Sequence, residues 1–308
     1  MKILVTGGAG FIGSHIVDKL VRDGAQVRVL DNFSAGKLDN IRHNLKKIDL
    51  IHGDIRHIPT VKKAVAGVKY IIHEAALKSV PESLKRPEEF NDVNVSGTLN
   101  LLIQASQAKV KRLVFASSSS IYGEVKVLPQ KETLIPAPIS PYGATKAIGE
   151  TYLKTFSRMR YLETVCLRYF NVFGPRQEPS SPYAGVIIKF INAMLKDKRP
   201  TIFGDGRQSR DFTYIDNVAK ATIAALTAKG VDGLSLNIAS SHPITVLQLV
   251  QSLNKILGKN LKPILAPIRT GDIKHSYADI TLARRYLGYK TIVPFEPGLR
   301  KTIEHLWE

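Results

Sequence analysis

This 308-residue chain predicts a doubly wound α/β protein built on a parallel sheet. Three observations carry that prediction. Short apolar, β-branched runs recur through the first half, continuous rather than alternating, as strands covered on both faces must be. Amphipathic stretches with helical spacing separate them. A glycine-rich loop joins the first run to the first such stretch.

The elements follow in order. Ile3–Thr6 reads as the first strand, and Ile12, Ile16, Val17, Leu20 and Val21 form a helical stripe behind it. Val27–Leu30, Leu50–His52, Tyr70–His73, Leu113–Ala116 and Thr164–Arg168 continue the strands, with helices over Val95–Ala108 and Gly143–Arg158. This is a Rossmann-type half. After Phe170-Asn171 the texture changes: Asn171–Tyr183 is rich in Pro, Gly and Ser, and a loop at Phe203–Gly206 precedes Arg207–Asp216. A helix over Asn217–Ala228 is followed by Leu234–Ile238, an apolar run able to return to the main sheet. Residues 243–260 and 279–287 read as helical, separated by the proline-rich stretch Pro263–Pro267. The reading is a smaller, discontinuous C-terminal α/β domain packed on the first.

Composition narrows the classes. At roughly 100–200 residues per domain the length predicts two domains or one elaborated unit, and such a chain buries roughly 75% of its unfolded surface without staples. With 44% hydrophobic and 23% charged residues it is an ordinary folded chain, not a disordered one. Cys166 is the only cysteine, which excludes an intrachain disulfide scaffold and a Cys-based zinc site and fits a reducing compartment. No metal is expected. The apolar start Ile3-Leu4-Val5 is too short for a signal segment. No run approaches the ~18 residues of a membrane span, so the expectation is a soluble, cytoplasmic protein.

The formal charge is +18, from 44 Lys and Arg against 26 Asp and Glu. Residues 37–63 carry Lys37, Arg42, Lys46, Lys47, Arg56, Lys62 and Lys63 against Asp39, Asp49 and Asp54. Such a stretch either meets a polyanion or is the solvated face of an enzyme with anionic ligands. No basic motif interleaved with aromatics supports nucleic-acid readout, so the second reading is taken.

The loop Thr6-Gly7-Gly8-Ala9-Gly10-Phe11-Ile12-Gly13 sits between the first strand and the first helix. Gly7 permits a tight turn, Gly10 lets backbone approach a pyrophosphate, and Gly13 allows close helix–strand packing. The helix N-terminus, at Phe11 and Ile12, then faces the phosphate charge. Asp31 ends the second strand 18 residues after Gly13. A carboxylate there holds the adenosine ribose hydroxyls and repels a 2′-phosphate, and Asn32 rather than Arg follows it. NAD is favoured over NADP.

The spacing Gly7-x-x-Gly10-x-x-Gly13 resembles the extended short-chain dehydrogenase/reductase family, and the resemblance runs through essentially the whole chain. Asp54-Ile55 matches that family's adenine-contacting pair, His73-Glu74-Ala75-Ala76 its cofactor-lining motif after strand four, and Asn94 the Asn beyond it. The resemblance also places Lys78, in Leu77-Lys78-Ser79-Val80, and Tyr169 at the cofactor. It implies residues 1–171 as an NAD-binding domain, with 211–240 returning to it, and 172–308 as mainly a sugar-nucleotide-binding domain.

Tyr142-Gly143-Ala144-Thr145-Lys146 puts a phenol and an ammonium one helical turn apart. A free Tyr titrates near pH ~10; a neighbouring cation and the oxidised nicotinamide both favour phenolate, making Tyr142 a base. Ser118 lies at the end of the fifth strand, the carboxyl edge where α/β ligands bind, and can bridge the substrate oxygen and Tyr142. The bland alternative is a core Tyr and a solvated Lys; behind a complete dinucleotide fold the catalytic reading is preferred. The family Ser stands four residues before a Tyr-Gly pair, which selects Ser118 from Ser117–Ser120. Dehydratases of the family carry Asp-Glu next, and here those positions are Ser119 and Ser120. Dehydration is disfavoured, and an epimerase needs nothing more.

In the second half, Asn171 matches a residue contacting diphosphate or sugar. Arg210, in Arg207–Phe212, resembles the Arg that clasps the nucleotide phosphates, and Arg269-Thr270-Gly271-Asp272 the pair in which Arg269 meets phosphate and Asp272 ribose. Within the family the chain is most similar to UDP-galactose/glucose 4-epimerases. Ser276 matches the gate beside the sugar C2 substituent; a small residue there leaves room for N-acetylhexosamines. His275, Ser119, Ser120 and Arg210–Asp216 also resemble glucuronate-directed epimerases. A sugar-nucleotide reductase and a non-catalytic NAD-sensing protein are the other readings. The family implies a homodimer through the helices at 95–108 and 143–158, where Leu99, Leu102 and Ile103 serve either that interface or the core.

Overall fold

Seven parallel strands form the central sheet of the computed structural model, which describes residues 1–178, 185–268 and 273–307. They are β1 (Lys2–Thr6), β2 (Gln26–Asp31), β3 (Ile48–His52), β4 (Tyr70–His73), β5 (Arg112–Ser118), β6 (Glu163–Tyr169) and β7 (Leu234–Ile238). Their order across the sheet is β7-β6-β5-β4-β1-β2-β3, so β7 does return to the main sheet, pairing with β6 from Leu234 opposite Val165 to Ile238 opposite Tyr169. The order in which strands are added reverses between β1 and β4. That switch point opens a crevice at the strands' carboxyl ends, where ligands of open α/β sheets bind.

The continuous apolar runs are explained by the two faces. Ile3 and Val5 of β1 point into one core with Ile16, Val17 and Leu20 of α1 (Phe11–Arg22). Leu4 points into the other, with Val61 of α2 (Ile58–Val65), Leu101 and Leu102 of α3 (Gly97–Gln107) and Leu153 of α4 (Pro141–Arg158). All three strand residues are fully buried, and each such side chain contributes roughly 1.5–3 kcal/mol. A third core joins α5 (Val186–Leu195), α7 (Val246–Leu257) and α8 (Phe295–Trp307), and includes Ile215 at the start of α6 (Ile215–Ala225). Short strand pairs carry its loops toward the crevice: Val172–Phe173 beside Thr213–Tyr214, and Ser209–Arg210 between Ile244–Thr245 and His275–Ser276.

Several boundaries differ from the sequence expectation for identifiable reasons. The helix expected over Val95–Ala108 is longer and broken in kind: Pro87–Asn91 leads into a wide π turn at Asp92–Ser96 before α3. The helix expected to run to Ala228 stops at Ala225, because Arg112 donates from Nη1 to the carbonyls of Ala225, Leu226 and Ala228 at 2.8–3.1 Å. A guanidinium there satisfies carbonyls that a helix C-terminus leaves open. Arg28 does the same for α2 through the carbonyls of Lys63, Ala64 and Ala66. The helix expected over residues 243–260 starts at Val246 behind a Thr245–Gln248 capping box and ends at left-handed Gly258. No helix among the described residues is long and apolar enough to cross a membrane.

The turn from β1 into α1 is a tight passage of the crevice. Gly7 has φ +68°, and a Cβ on it would lie 2.7 Å from the Ala75 nitrogen beyond β4. A Cβ on Gly13 would lie 2.1 Å from the Gly7 carbonyl oxygen, whereas one on Gly10 would meet that oxygen at 3.1 Å. Gly13→Ala is therefore expected to destabilise the protein by at least ~3 kcal/mol in urea titrations, and Gly10→Ala by less than ~1 kcal/mol. Equal losses would show that the turn yields freely.

Candidate active site

The helix start is built to receive an anion. Gly10 caps α1 without a side chain, and no acidic residue stands in the first turn. The Gly10 N–H closes on the Gly7 carbonyl at 3.0 Å and the Ser14 N–H on Gly10 at 3.0 Å, leaving the N–H groups of Phe11 and Ile12 ahead of the helical ladder. A recess of about 250 Å³ beside Phe11 is lined by Lys37, Lys78, Arg176 and Glu178 among others. Lys37 pairs with Glu178, and Arg176 donates from Nη2 to Asp18 at 2.6 Å. Arg176 Nη1 is buried without a protein partner among the described residues. Open N–H groups, three cations and an orphaned guanidinium nitrogen fit a dinucleotide's pyrophosphate.

The adenosine end fits as well. The Asp31 carboxylate accepts the Ala9 N–H on Oδ2 at 2.9 Å and the Phe33 N–H on Oδ1 at 2.8 Å. Burial pushes its pKa up against those bonds, and each oxygen keeps a lone pair for a hydroxyl donor. Asn32 donates to Asp54 at 2.8 Å, and the Arg56 guanidinium on the same carboxyl holds it down at about 2. Asp54 and Asn32 thus brace the β2 and β3 loops against each other. Ile55 is buried against Gly97.

Behind the crevice, His73 is held neutral, its pKa lowered to about 3 by burial. Its Nδ1 lies 2.7 Å from Thr6 Oγ1 and its Nε2 2.9 Å from Thr98 Oγ1. Thr98 gives its own proton to the Asn94 carbonyl at 2.6 Å, so His73 Nε2 carries the hydrogen and Nδ1 accepts from Thr6. Asn94, in the π turn, accepts the Leu77 N–H and donates to the Leu77 carbonyl and to Thr145. It ties the Ala75–Lys78 loop to α4, holding Ala75, Ala76 and Lys78 at the crevice.

The expected reacting groups meet at the end of β5. Ser140 caps α4 by accepting the Gly143 N–H at 3.1 Å, with Pro141 in the first turn. A Cβ on Gly143 would stand 2.6 Å from the Ser120 carbonyl oxygen, so the helix rests directly on the serine loop. Ser118 accepts the Ser120 N–H at 3.1 Å and donates to Ser120 Oγ at 3.2 Å. One turn beyond Tyr142, Lys146 is buried and donates to the Ala116 carbonyl at 2.7 Å, its Nζ 6.0 Å from the Tyr142 ring centre. Loss of hydration lowers Lys146 to about 8.

The protein's own groups act on Tyr142 in both directions. Burial raises the Tyr142 pKa, a hydrogen bond with Ser118 lowers it, and the Glu74 carboxyl raises it further. Lys146 spends its nearest hydrogen bond on backbone, and desolvation is the largest influence on the phenol.

The second half contributes by register. Ser276 lies opposite Arg210 on adjacent strands. Arg210 donates from Nη1 to the carbonyls of Ser209 and Lys274. Ser276 is buried and donates to Gln130 Oε1 at 3.2 Å. Asn171, at φ +33°, donates to the Asp211 carbonyl. Arg269 and Asp272 lie outside the described residues. Sequence reasoning gave Glu74 and Asp211 no individual role within the motifs that contain them and did not single out Gln130. Asp211 collects the N–H groups of Ser240, Ser241 and Ala278, fastening the loops that flank Arg210 and Ser276. Gln130 had no local signal; Glu74 did, as a carboxylate in an otherwise apolar run. No cluster of three or more His, Cys, Asp or Glu among the described residues is placed to hold a metal ion.

Known proteins with this architecture are numerous. The chain is 40% identical over 303 residues to a putative UDP-glucose 4-epimerase of Methanocaldococcus jannaschii, spanning 98% of this chain and 97% of that protein. The crystal structure of the Thermotoga maritima UDP-glucose 4-epimerase with UDP-glucose superimposes with a TM-score of 0.94 at 40% identity, covering 100% of this chain and 99% of that one. The Methanobrevibacter ruminantium UDP-N-acetylglucosamine 4-epimerase, in complex with UDP-N-acetylmuramic acid, gives 0.95 at 40% identity, covering 99% and 98%. The profile of one family matches residues 3–239. With the glycine turn, the Asp31 carboxylate and the Tyr142–Lys146 pair in place, this chain belongs to the NAD dependent epimerase/dehydratase family.

Proposed function

We propose that the protein is a UDP-hexose 4-epimerase that interconverts UDP-glucose and UDP-galactose and also admits their N-acetylated forms. The observation that carries this reading is the meeting of Ser118, Tyr142 and Lys146 at the carboxyl end of β5, with Ser119 and Ser120 where a dehydratase needs carboxylates. A serine pair can neither remove nor donate the extra protons of an elimination, so reversible oxidation at one carbon is the chemistry left.

The Gly7–Ile12 backbone, Asp31, Lys78 and Arg176 are the groups to hold NAD. Bound there, NAD supplies the two-electron acceptor and donor that oxidation and re-reduction at C4 require. Tyr142 Oη removes the C4 hydroxyl proton. Ser118 Oγ hydrogen-bonds the same oxygen and lowers the proton affinity of Tyr142. Lys146 supplies the charge that offsets the phenolate. Asn171, Arg210, Arg269 and Asp272 grip the UDP portion, so the 4-keto sugar turns over without leaving and Tyr142 returns the proton to O4. Binding energy on the remote nucleotide thereby positions the reacting carbon. Ile103 of α3 and Ile148 of α4 are 38% and 41% exposed and support a homodimer through those helices.

Incubation of the purified protein with UDP-galactose, UDP-N-acetylglucosamine and UDP-glucuronate, with and without NAD, tests the reading. C4 epimers of the first two are expected without net NADH formation; steady consumption of NADH would make it a reductase, and conversion of the glucuronate alone would move the substrate. Tyr142→Phe is expected to lower kcat by about 10²–10⁴-fold while retaining NAD, measured by epimer formation and cofactor content. Ser276→Tyr is expected to depress kcat/KM for the N-acetylated substrates at least tenfold more than for the plain hexoses; equal losses would remove Ser276 as the gate.

A further inference from the structure

Glu74 follows β4 at the crevice, its N–H bonded to the Thr6 carbonyl at 3.1 Å, and its side chain takes no part in the proposed proton transfer. It stands at the head of a file of oxygens. Glu74 Oε1 lies 2.8 Å from Tyr169 Oη, Tyr169 Oη lies 2.7 Å from Thr222 Oγ1, and Thr222 Oγ1 lies 2.8 Å from the Val218 carbonyl. Tyr169 and Thr222 are buried, so water does not replace a missing partner.

Counting protons along the file decides the state of the carboxyl. If Glu74 is ionised, Tyr169 must donate to it, and the single Thr222 proton must serve both Tyr169 and Val218. Two protons then cover three contacts. If Glu74 carries a proton, it donates to Tyr169, Tyr169 donates to Thr222, and Thr222 donates to Val218. Three protons cover three contacts, and each of the three has its own donor. Burial acts in the same direction, pushing Glu74 up to about 7 against the pull of Lys146 and of the Tyr169 hydrogen bond.

We propose that Glu74 is a positioning residue of this site: neutral at rest at the head of a buried file of oxygens, and on losing its proton a negative charge beside Lys146 and Tyr142 that holds the Tyr142 phenol protonated. Glu74 follows His73, which lies opposite Phe115 on β5, so it stands beside Ala116, whose carbonyl Lys146 holds; the titratable and charged groups around it are Lys146 and Tyr142 from α4 and Tyr169 from β6. Thr222 of α6 does not titrate, and His73 on its own strand is neutral. The sign follows from the charges. An ionised Glu74 raises the proton affinity of both Tyr142 and Lys146, so it opposes the base form of Tyr142. The neutral acid leaves the Lys146 charge uncompensated and eases ionisation of the phenol. The inference rests on the epimerase reading for its catalytic meaning, whereas the charge coupling itself does not depend on which sugar is turned over.

The test replaces Glu74 with Gln, whose amide can donate to Tyr169 like the neutral acid but cannot ionise. Phenolate absorbance of the purified protein is titrated without substrate, each form against its Tyr142→Phe counterpart so that the difference isolates Tyr142. Tyr142 is expected to titrate about one pH unit lower in Glu74→Gln than in the wild type, a tenfold change in proton affinity. The pH profile of kcat should move its acidic limb the same way, whereas a purely structural role would lower kcat at every pH without moving the limb. Glu74→Leu, which removes charge and donor together, should shift the Tyr142 titration like Gln. In the unmutated protein, the carboxyl-carbon NMR signal of Glu74, identified by its response to Tyr169→Phe, should titrate near neutrality; titration in the ordinary carboxylate range would overturn the proposal. An unmoved Tyr142 titration in folded Glu74→Gln would overturn it as well. A shifted titration in a protein that epimerises nothing would uphold the coupling and dismiss the assigned reaction.

Discussion

The inner face of α4 is the constraint on which the site depends. Tyr142, Lys146 and Glu150 stand at successive turns of one helix, and each meets a different part of the sheet's carboxyl half. Lys146 holds the Ala116 carbonyl, while Glu150 accepts from Ser117 at 2.6 Å, from Arg168 at 2.9 and 2.8 Å, and from Ser235 at 2.8 Å. Arg168 and Glu150 are almost fully enclosed. Burial opposes the charge on Glu150, and the Arg168 guanidinium more than restores it. Removing one partner of such a pair costs about 3–5 kcal/mol, because the other charge is left buried alone. The pair thus fixes the rotation of α4, and the rotation of α4 fixes where the Tyr142 phenol points.

The opposite wall of the crevice is held by backbone instead of charge. Gly7 turns in left-handed conformation against Ala75, and Gly13 packs its α-carbon on the same turn. The strand-four end that closes on Gly7 also carries Glu74 and leads, through the Asn94 bonds, to Thr145 on α4. A displacement at the dinucleotide turn therefore reaches the reacting residues through one short, fully bonded path. The positive charge reads differently beside this architecture. Lys37, Arg42 and Arg56, of the basic stretch, form ion pairs with Glu178, Asp39 and Asp54, while Lys46, Lys47, Lys62 and Lys63 are exposed.

Much of this was legible because the relevant physics is local. Seven strand cores and the i, i+4 pairing of Tyr142 with Lys146 follow from periodicities that a few residues carry by themselves. So does the glycine turn, whose three positions lie within seven residues. The boundaries were less legible where a distant group intervened. Arg112 ends α6 from more than a hundred residues away, and nothing near Ala228 announces it. The tuning of Tyr142 was illegible for a related reason: proximity to Lys146 is written in the spacing, but the burial that raises the phenol's pKa belongs to the packed protein.

The sequence alone thus determined the fold class and the cofactor turn and named the candidate side chains for the reaction, since each rests on backbone sterics or one-turn spacing. Tertiary structure decided how those side chains are tuned. Glu74 meets Tyr169 across 95 positions, Gln130 meets Ser276 across 146, and Glu150 meets Ser235 across 85. Contacts of that kind depend on which faces of which elements are pressed together. Their charge and proton states depend on how much water that pressing removes, and no local stretch of sequence encodes either.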